Sequence, residues 1–211
     1  AASGAKQPVE DHRKLYDKAA RMILSTQMEA FDLDQEPASV REAYGRSQFG
    51  NGCLLARRLI QQGVTFVEVS LGNWDTHDDN FQRCATLAGQ LDGPWAALLA
   101  DLHTRGMLEN TIVVWMGEFG RTPRVNPRGG RDHYPRAFNA ALSGGGIRGG
   151  QVIGSTTVGG DSIKDRPVQV TDLFRSIFHS LGIDADKENM TGIGRPIRVV
   201  DGGEVVKELF G

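Results

Sequence analysis

Hydrophobic positions recur at helical spacing up to Gly63, and the period changes at Val64. Residues 1–9 are small and polar and read as a frayed lead-in, after which Leu15, Ala19, Met22 and Ile23 fall on one helix face. A second helix is predicted from about Pro37 through Val40, Ala43 and Tyr44, since proline is tolerated in a first helical turn. After the break at Gly50–Gly52, Leu54, Leu55, Arg58, Leu59 and Ile60 predict a third helix, ended by Gly63 in a left-handed cap.

Val64–Leu71 is β-branched and aromatic over the length of a strand and runs into the polar segment Gly72–His77. Phe81–His103 returns to helical spacing through Leu87, Leu91, Trp95, Leu98, Leu99 and Leu102, with Gly106 just beyond. Thr111–Met116 is almost wholly apolar, the signature of a strand covered on both faces, as in parallel sheets. Two shorter strand-like pieces, 138–142 and 151–153, are joined by the glycine-rich run Ser143–Gly150, read as a mobile or tightly turning connection. Val168–Leu181 reads as a helix capped by Thr171 or Asp172 and stopped by Gly182.

Strands alternating with long helices predict an α/β fold with a mostly parallel sheet. Segments 64–71 and 111–117 are expected to be neighbours or near neighbours in that sheet, with the helix 80–104 as a right-handed crossover. One domain is expected over 1–211, helical over 10–62 and α/β over 63–211.

Composition narrows the picture further. With 211 residues, 39% hydrophobic and 24% charged, the chain has the makeup of a folded globular protein. A formal net charge of -2, mixed in sign along the chain, lacks the footprint of a nucleic-acid or membrane-surface binder. No apolar run is long enough to span a bilayer. Cys53 and Cys84 make no disulfide framework and have no close Cys or His neighbour for a zinc site, so they read as small buried apolar groups, with one pairing open to an exported protein. No signal peptide is present, but the chain begins at Ala1 rather than methionine, so compartment is not read from this end.

Ligands of parallel α/β sheets bind beyond the carboxyl ends of the strands, and both of the best strands end in ionisable groups. Asp75 and His77 follow the first, Glu118 and Arg121 the second, and Arg131-Asp132-His133 comes soon after. Carboxylates mixed with imidazoles suit zinc, manganese or another divalent ion, with calcium not distinguished. Asp75 and His77, at i and i+2, project to the same side of an extended segment and so are placed to chelate together. Other readings stand beside this one: Asp75 as the cap of the next helix, Glu118 paired to Arg121, His133 at the surface of a turn, and Asp132 as ligand or orienting partner. His12, His103 and His179 read as helix-face residues, and no serine lies in a Gly-x-Ser-x-Gly elbow.

The ordered motifs Phe49-Gly50, Cys53–Leu59, Trp74–His77, Gly117–Pro123, Gly130–His133 and Gly144–Gly150 resemble the domain of unknown function 1501 family, over about Tyr16 to Gly182. The resemblance implies an exported bacterial protein of the alkaline phosphatase and sulfatase superfamily, with a three-layer alkaline-phosphatase-like fold and two-metal hydrolysis of phosphate or sulfate esters. It implies Asp75, His77 and His133 as ligands of one ion and Glu118 as the acidic ligand of a second. Phe119 stands where the superfamily places a histidine, so the second metal site is incomplete or different. The family's N-terminal half, with the nucleophile, is expected outside this chain, which would leave the chain inactive alone.

Two functions follow as expectations. One is a metal-dependent hydrolase of small-molecule or glycan phosphate or sulfate esters, with Arg121 or Arg131 stabilising developing negative charge. The other is a binding or structural protein that keeps a degenerate metal site.

Overall fold

The computed structural model describes residues 6–23 and 25–211, in two compact units. The lead-in expected over 1–9 lies partly outside the described residues, and residues 6–9 open a helix.

The first unit comprises residues 1–72 and 90–98. Its helices are α1 (Lys6–Ile23), α2 (Ala38–Ala43) and α3 (Gln48–Gln61), with 3-10 turns at Thr26–Phe31 and Leu33–Gln35. On α1 Leu15 and Ala19 are exposed, and the Met22 and Ile23 side chains lie outside the described residues. The start of α3 is set by Ser47, whose hydroxyl accepts the Gly50 N–H at 3.0 Å. Gly50 and Gly52 are therefore inside α3 rather than a break before it. A Cβ on Gly50 would sit 2.2 Å from the Tyr44 carbonyl oxygen, so glycine permits the close approach of α3 to the preceding turn. The core gathers Tyr44, Cys53 and Leu54, covered by Leu33, Val40, Phe49, Val69, Ala97 and Leu98. Each large side chain so buried contributes about 1.5–3 kcal/mol. Cys53 and Cys84 are both free, and burial pushes the Cys53 thiol up to about 11.

The second unit holds residues 73–89 and 99–211. Helix α4 (Asn80–Thr104) turns its predicted stripe inward at Leu87 and Leu102 and carries Pro94 internally. Helix α5 (Val170–Ser180) starts in a capping box between Gln169 and Asp172, one or two residues earlier than its sequence suggested. Leu173, Ser176, Ala185, Val200, Val206 and Leu209 are buried in this unit, and Ser176 Oγ accepts the Val206 N–H at 2.9 Å. The glycine-rich run is a tight turn: Gly144, Gly145 and Gly146 all have positive φ, and Gly145 N–H donates to Leu108 O at 2.9 Å.

The strands overturn the expected three-layer alkaline-phosphatase-like fold. Among the described residues there are only four two-stranded sheets, and all four are antiparallel. They pair β1 (Val113–Trp115) with β4 (Ala141–Ser143), β2 (Gly120–Arg121) with β3 (His133–Tyr134), β5 (Ser155–Thr156) with β6 (Ile163–Asp165), and β7 (Glu188–Met190) with β8 (Pro196–Arg198). Val64–Leu71 is not a paired strand, so the crossover role given to α4 falls with it. Residues 151–153 form no strand either, and Val152 is exposed. The physical reason is that β-branched and aromatic content reports fitness for a pleated, half-buried surface, while a strand exists only where a neighbour takes its N–H and C=O groups. The apolar run at 111–116 finds that neighbour in the later segment 141–143, antiparallel, with Val114 opposite Leu142.

Candidate metal centre

Three loops of the second unit converge at one end of the β2–β3 pair. Arg121 lies directly across from His133 in that ladder, and Thr122 N–H extends it to Asp132 O at 2.8 Å. The loop before α4 is stitched onto the turn of this hairpin: Arg131 N–H donates to Thr76 O at 3.0 Å and Asn80 N–H to Gly129 O at 3.0 Å. Gly130 makes the seam possible, because a Cβ there would lie 1.9 Å from the His77 carbonyl. Only glycine lets the two backbones meet.

Within the loop the alternation expected of an extended segment holds. Thr76 is fully buried and its hydroxyl donates to Asn80 Oδ1 at 2.6 Å, while Asp75 and His77 turn the other way. His77 Nε2, His133 Nε2 and Asp75 Oδ1 then form a triangle with sides of 3.2, 2.9 and 3.1 Å. A tetrahedral ion with bonds of about 2.0–2.1 Å holds its ligand atoms ~3.3 Å apart, so the triangle matches one face of such a shell. His77 Nδ1 faces Asp132 Oδ1 at 3.0 Å. Because that carboxylate only accepts, a neutral His77 carries its proton on Nδ1 and points a lone pair from Nε2 into the triangle. Three lone-pair atoms turned toward one point repel unless a cation sits among them.

The carboxylates are held ionised. The hydrogen bond with His133, and that from Arg121, keep Asp75 below the usual carboxylate range. Hydrogen bonds with His77 and then Asn126 do the same for Asp132. Asp75 and His133 are exposed and His77 is half-buried, which leaves the fourth side of the site open to solvent. Such an open position is what a catalytic ion requires and a structural one lacks.

The other predicted residues are placed differently. Glu118 is outside the triangle, its carboxylate accepting from Arg121 Nη2 at 3.0 Å. Arg121 spans the two acids, with Nη1 donating to Asp75 Oδ1 at 2.7 Å. Arg131 is turned away into the hairpin, where Nη1 donates to the Thr122 and Pro123 carbonyls and the guanidinium lies 5.7 Å from the centre of the Phe81 ring. Phe119 stacks 4.4 Å from the His133 ring. His12, His103 and His179 are exposed on their helices. Asn126, which no residue-type rule singles out, contacts both His77 and Asp132. The Asn-Pro and Gly-Gly steps around it mark a turn in the sequence but not what that turn touches.

Fold and site together define a small helical protein with short hairpins, bearing two imidazoles and a carboxylate in metal-ligand geometry. The chain matches the family model described as a protein of unknown function, DUF1501, over residues 2–210, and it belongs to that family. No curated protein and no solved structure matches it.

Proposed function

We propose that the chain binds one divalent transition-metal ion through Asp75, His77 and His133, and that this centre serves the hydrolysis of phosphate or sulfate esters. The observation that supports this reading is the triangle of ligand atoms, with sides of 2.9 to 3.2 Å, whose one inner histidine is already oriented by a carboxylate. Two imidazoles beside a single carboxylate suit zinc or another first-row ion better than calcium, which favours oxygen donors. A bound ion supplies Lewis acidity toward an ester oxygen and eases ionisation of the attacking group.

The protein's own residues supply orientation and charge. Asp132 holds the Nδ1 proton of His77, which keeps its Nε2 directed inward. Arg121, pinned between Asp75 and Glu118, presents a rigid guanidinium at the rim, suited to the oxygens of a tetrahedral anion. Arg124, Arg128 and Arg136 are exposed on the same hairpin and its exit, and they add positive potential that draws in an anionic substrate.

A second reading, metal binding without ester hydrolysis, is favoured by Glu118 and Phe119. The carboxylate is committed to Arg121 and the ring is packed on His133, so neither offers a ligand to a second ion. Elemental analysis of the purified protein, calorimetric titration with zinc, manganese and calcium, and assays on aryl phosphates and aryl sulfates separate the readings. One zinc or manganese ion per chain with chelator-sensitive turnover supports the hydrolase, and stoichiometric binding without turnover supports the second reading. No binding of any of these ions overturns both.

A further inference from the structure

We infer that Asn126 is the positioning residue of this centre, a role that rests on the metal-binding reading of Asp75, His77 and His133. Asn126 supplies no atom to the ligand triangle, yet its side-chain amide is fully engaged. Nδ2 donates to the His77 carbonyl at 2.9 Å and to Asp132 Oδ1 at 3.1 Å. Oδ1 accepts from the Arg128 N–H at 2.9 Å and the Gly130 N–H at 3.0 Å. Its backbone N–H closes the turn onto Gly130 O at 2.9 Å.

These contacts hold His77 at two places. The main chain of His77 is fixed by the bond to its carbonyl, and the ring is fixed through Asp132, because the oxygen that receives Asn126 is the same Oδ1 that faces His77 Nδ1. Asn126 also sets the turn that brings Gly130 against the His77 carbonyl. A side chain in this place needs two donors on one atom and an acceptor on the other, at the reach of a single methylene, and only asparagine meets that description. Aspartate keeps the acceptor for the two N–H groups but replaces the donor with an oxygen that repels Asp132 and the His77 carbonyl. Glutamine keeps the chemistry and misplaces it by a methylene. Both leave the three ligands in the sequence and loosen the geometry that joins them.

The test compares the intact chain with Asn126→Asp, Asn126→Gln and the swap Asn126→Asp/Asp132→Asn, using cobalt(II) as the probe. Cobalt affinity is read by titration and site geometry by the visible absorption of the bound ion. Histidine nitrogen NMR of the metal-free protein gives the His77 tautomer, and thermal melting follows the fold. Asn126→Asp and Asn126→Gln are expected to melt as cooperatively as the parent, to bind cobalt about 10–100-fold more weakly, and to change its absorption. In the metal-free state they lose the single Nδ1–H tautomer of His77. The swap restores a donor facing an acceptor between positions 126 and 132 and recovers part of the affinity, which a general loss of stability would not allow. Parent-like cobalt affinity and an unchanged His77 tautomer in both single variants overturn the inference. If the parent chain itself binds no cobalt, the metal reading falls. The tautomer then still decides the role of Asn126: lost in the variants it upholds the role, retained it overturns it. Should Asn126→Asp fail to fold, Asn126→Gln carries the same outcomes.

Discussion

His77 Nε2 and His133 Nε2 lie 3.2 Å apart although 56 residues separate them in the chain. Two imidazole nitrogens approach so closely only when a proton or a metal ion lies between them, and Asp75 Oδ1 closes the same space 2.9 Å from His133. Removing either ring takes away one of three ligands. His77→Ala and His133→Ala are each expected to weaken zinc binding by more than the roughly 10–100-fold that loss of an outer partner costs. His103→Ala, an exposed histidine on α4, serves as the control and should leave binding unchanged. Calorimetric titration of the three variants checks this, and equal affinities across them would remove the triangle as the metal site.

Arg121 places a positive charge beside a candidate ligand, its Nη1 lying 2.7 Å from Asp75 Oδ1. A divalent ion bound to that oxygen stands about 4–5 Å from the guanidinium, a repulsion of about 1–2 kcal/mol in a water-like dielectric. Arg121→Ala is therefore expected to tighten zinc binding a few-fold at low salt, with the gain shrinking as ionic strength rises. If the site hydrolyses anionic esters, the same change lowers turnover, because the anion loses its rim cation. Weaker metal binding in Arg121→Ala would show instead that the guanidinium serves mainly to hold Asp75 in place.

What the sequence revealed of the site was its local half. The two ligands of Asp75-Thr76-His77 share a side because an extended backbone alternates, and buried Thr76 between them follows from the same rule. The approach of His133 depends on long-range stitching, on the bonds of Arg131 to Thr76 and of Asn80 to Gly129, and on a bare Gly130 backbone. No periodicity records those contacts. Helices α3, α4 and α5 were legible because their stripes and terminal glycines are local properties. The strands were not, since β-rich composition at 64–71 says nothing about whether a partner runs alongside. The role of Glu36 was equally hidden, as its two arginine partners lie more than twenty residues further on.

Glu36 is buried between Arg57 and Arg58 in the first unit, with its Oε2 2.8 Å from Arg57 Nη2. Burial alone would raise its pKa, and the hydrogen bonds and positive charges of the two arginines more than offset this, leaving it below the ordinary value of 4.5. A depressed folded value means that the stabilisation is fully present above that ordinary value and is lost as the pH falls through the folded one. Glu36→Gln should cost about 3–5 kcal/mol at neutral pH, because two guanidinium groups are left without their carboxylate. Its stability should also fall less steeply than that of the parent on acidification below the ordinary glutamate value. Urea unfolding at neutral and acid pH reads both effects, and parallel pH curves for the two proteins would remove Glu36 from the acid response.

Phe66 and Val69 separate the observed extended segment from the buried parallel strand that its composition suggests. Phe66 is 77% exposed, whereas Val69 packs on the core of Tyr44, Cys53 and Leu54, and a Cβ on Gly52 would lie 2.9 Å from its Cγ1. In a strand covered on both faces, truncating the phenylalanine would cost about 3–5 kcal/mol. In the arrangement seen here Phe66→Ser should change the unfolding free energy by no more than about 0.5 kcal/mol, as surface substitutions do. Val69→Ala removes two methyl groups from a partly buried contact and should cost about 1–2 kcal/mol at ~0.8 kcal/mol per buried carbon. The order of the two effects is the diagnostic quantity, since it holds even if both magnitudes shift together. Denaturant midpoints measured on both variants give that order directly, and a larger loss for Phe66→Ser than for Val69→Ala would mean that the outer face of 64–71 is covered in solution.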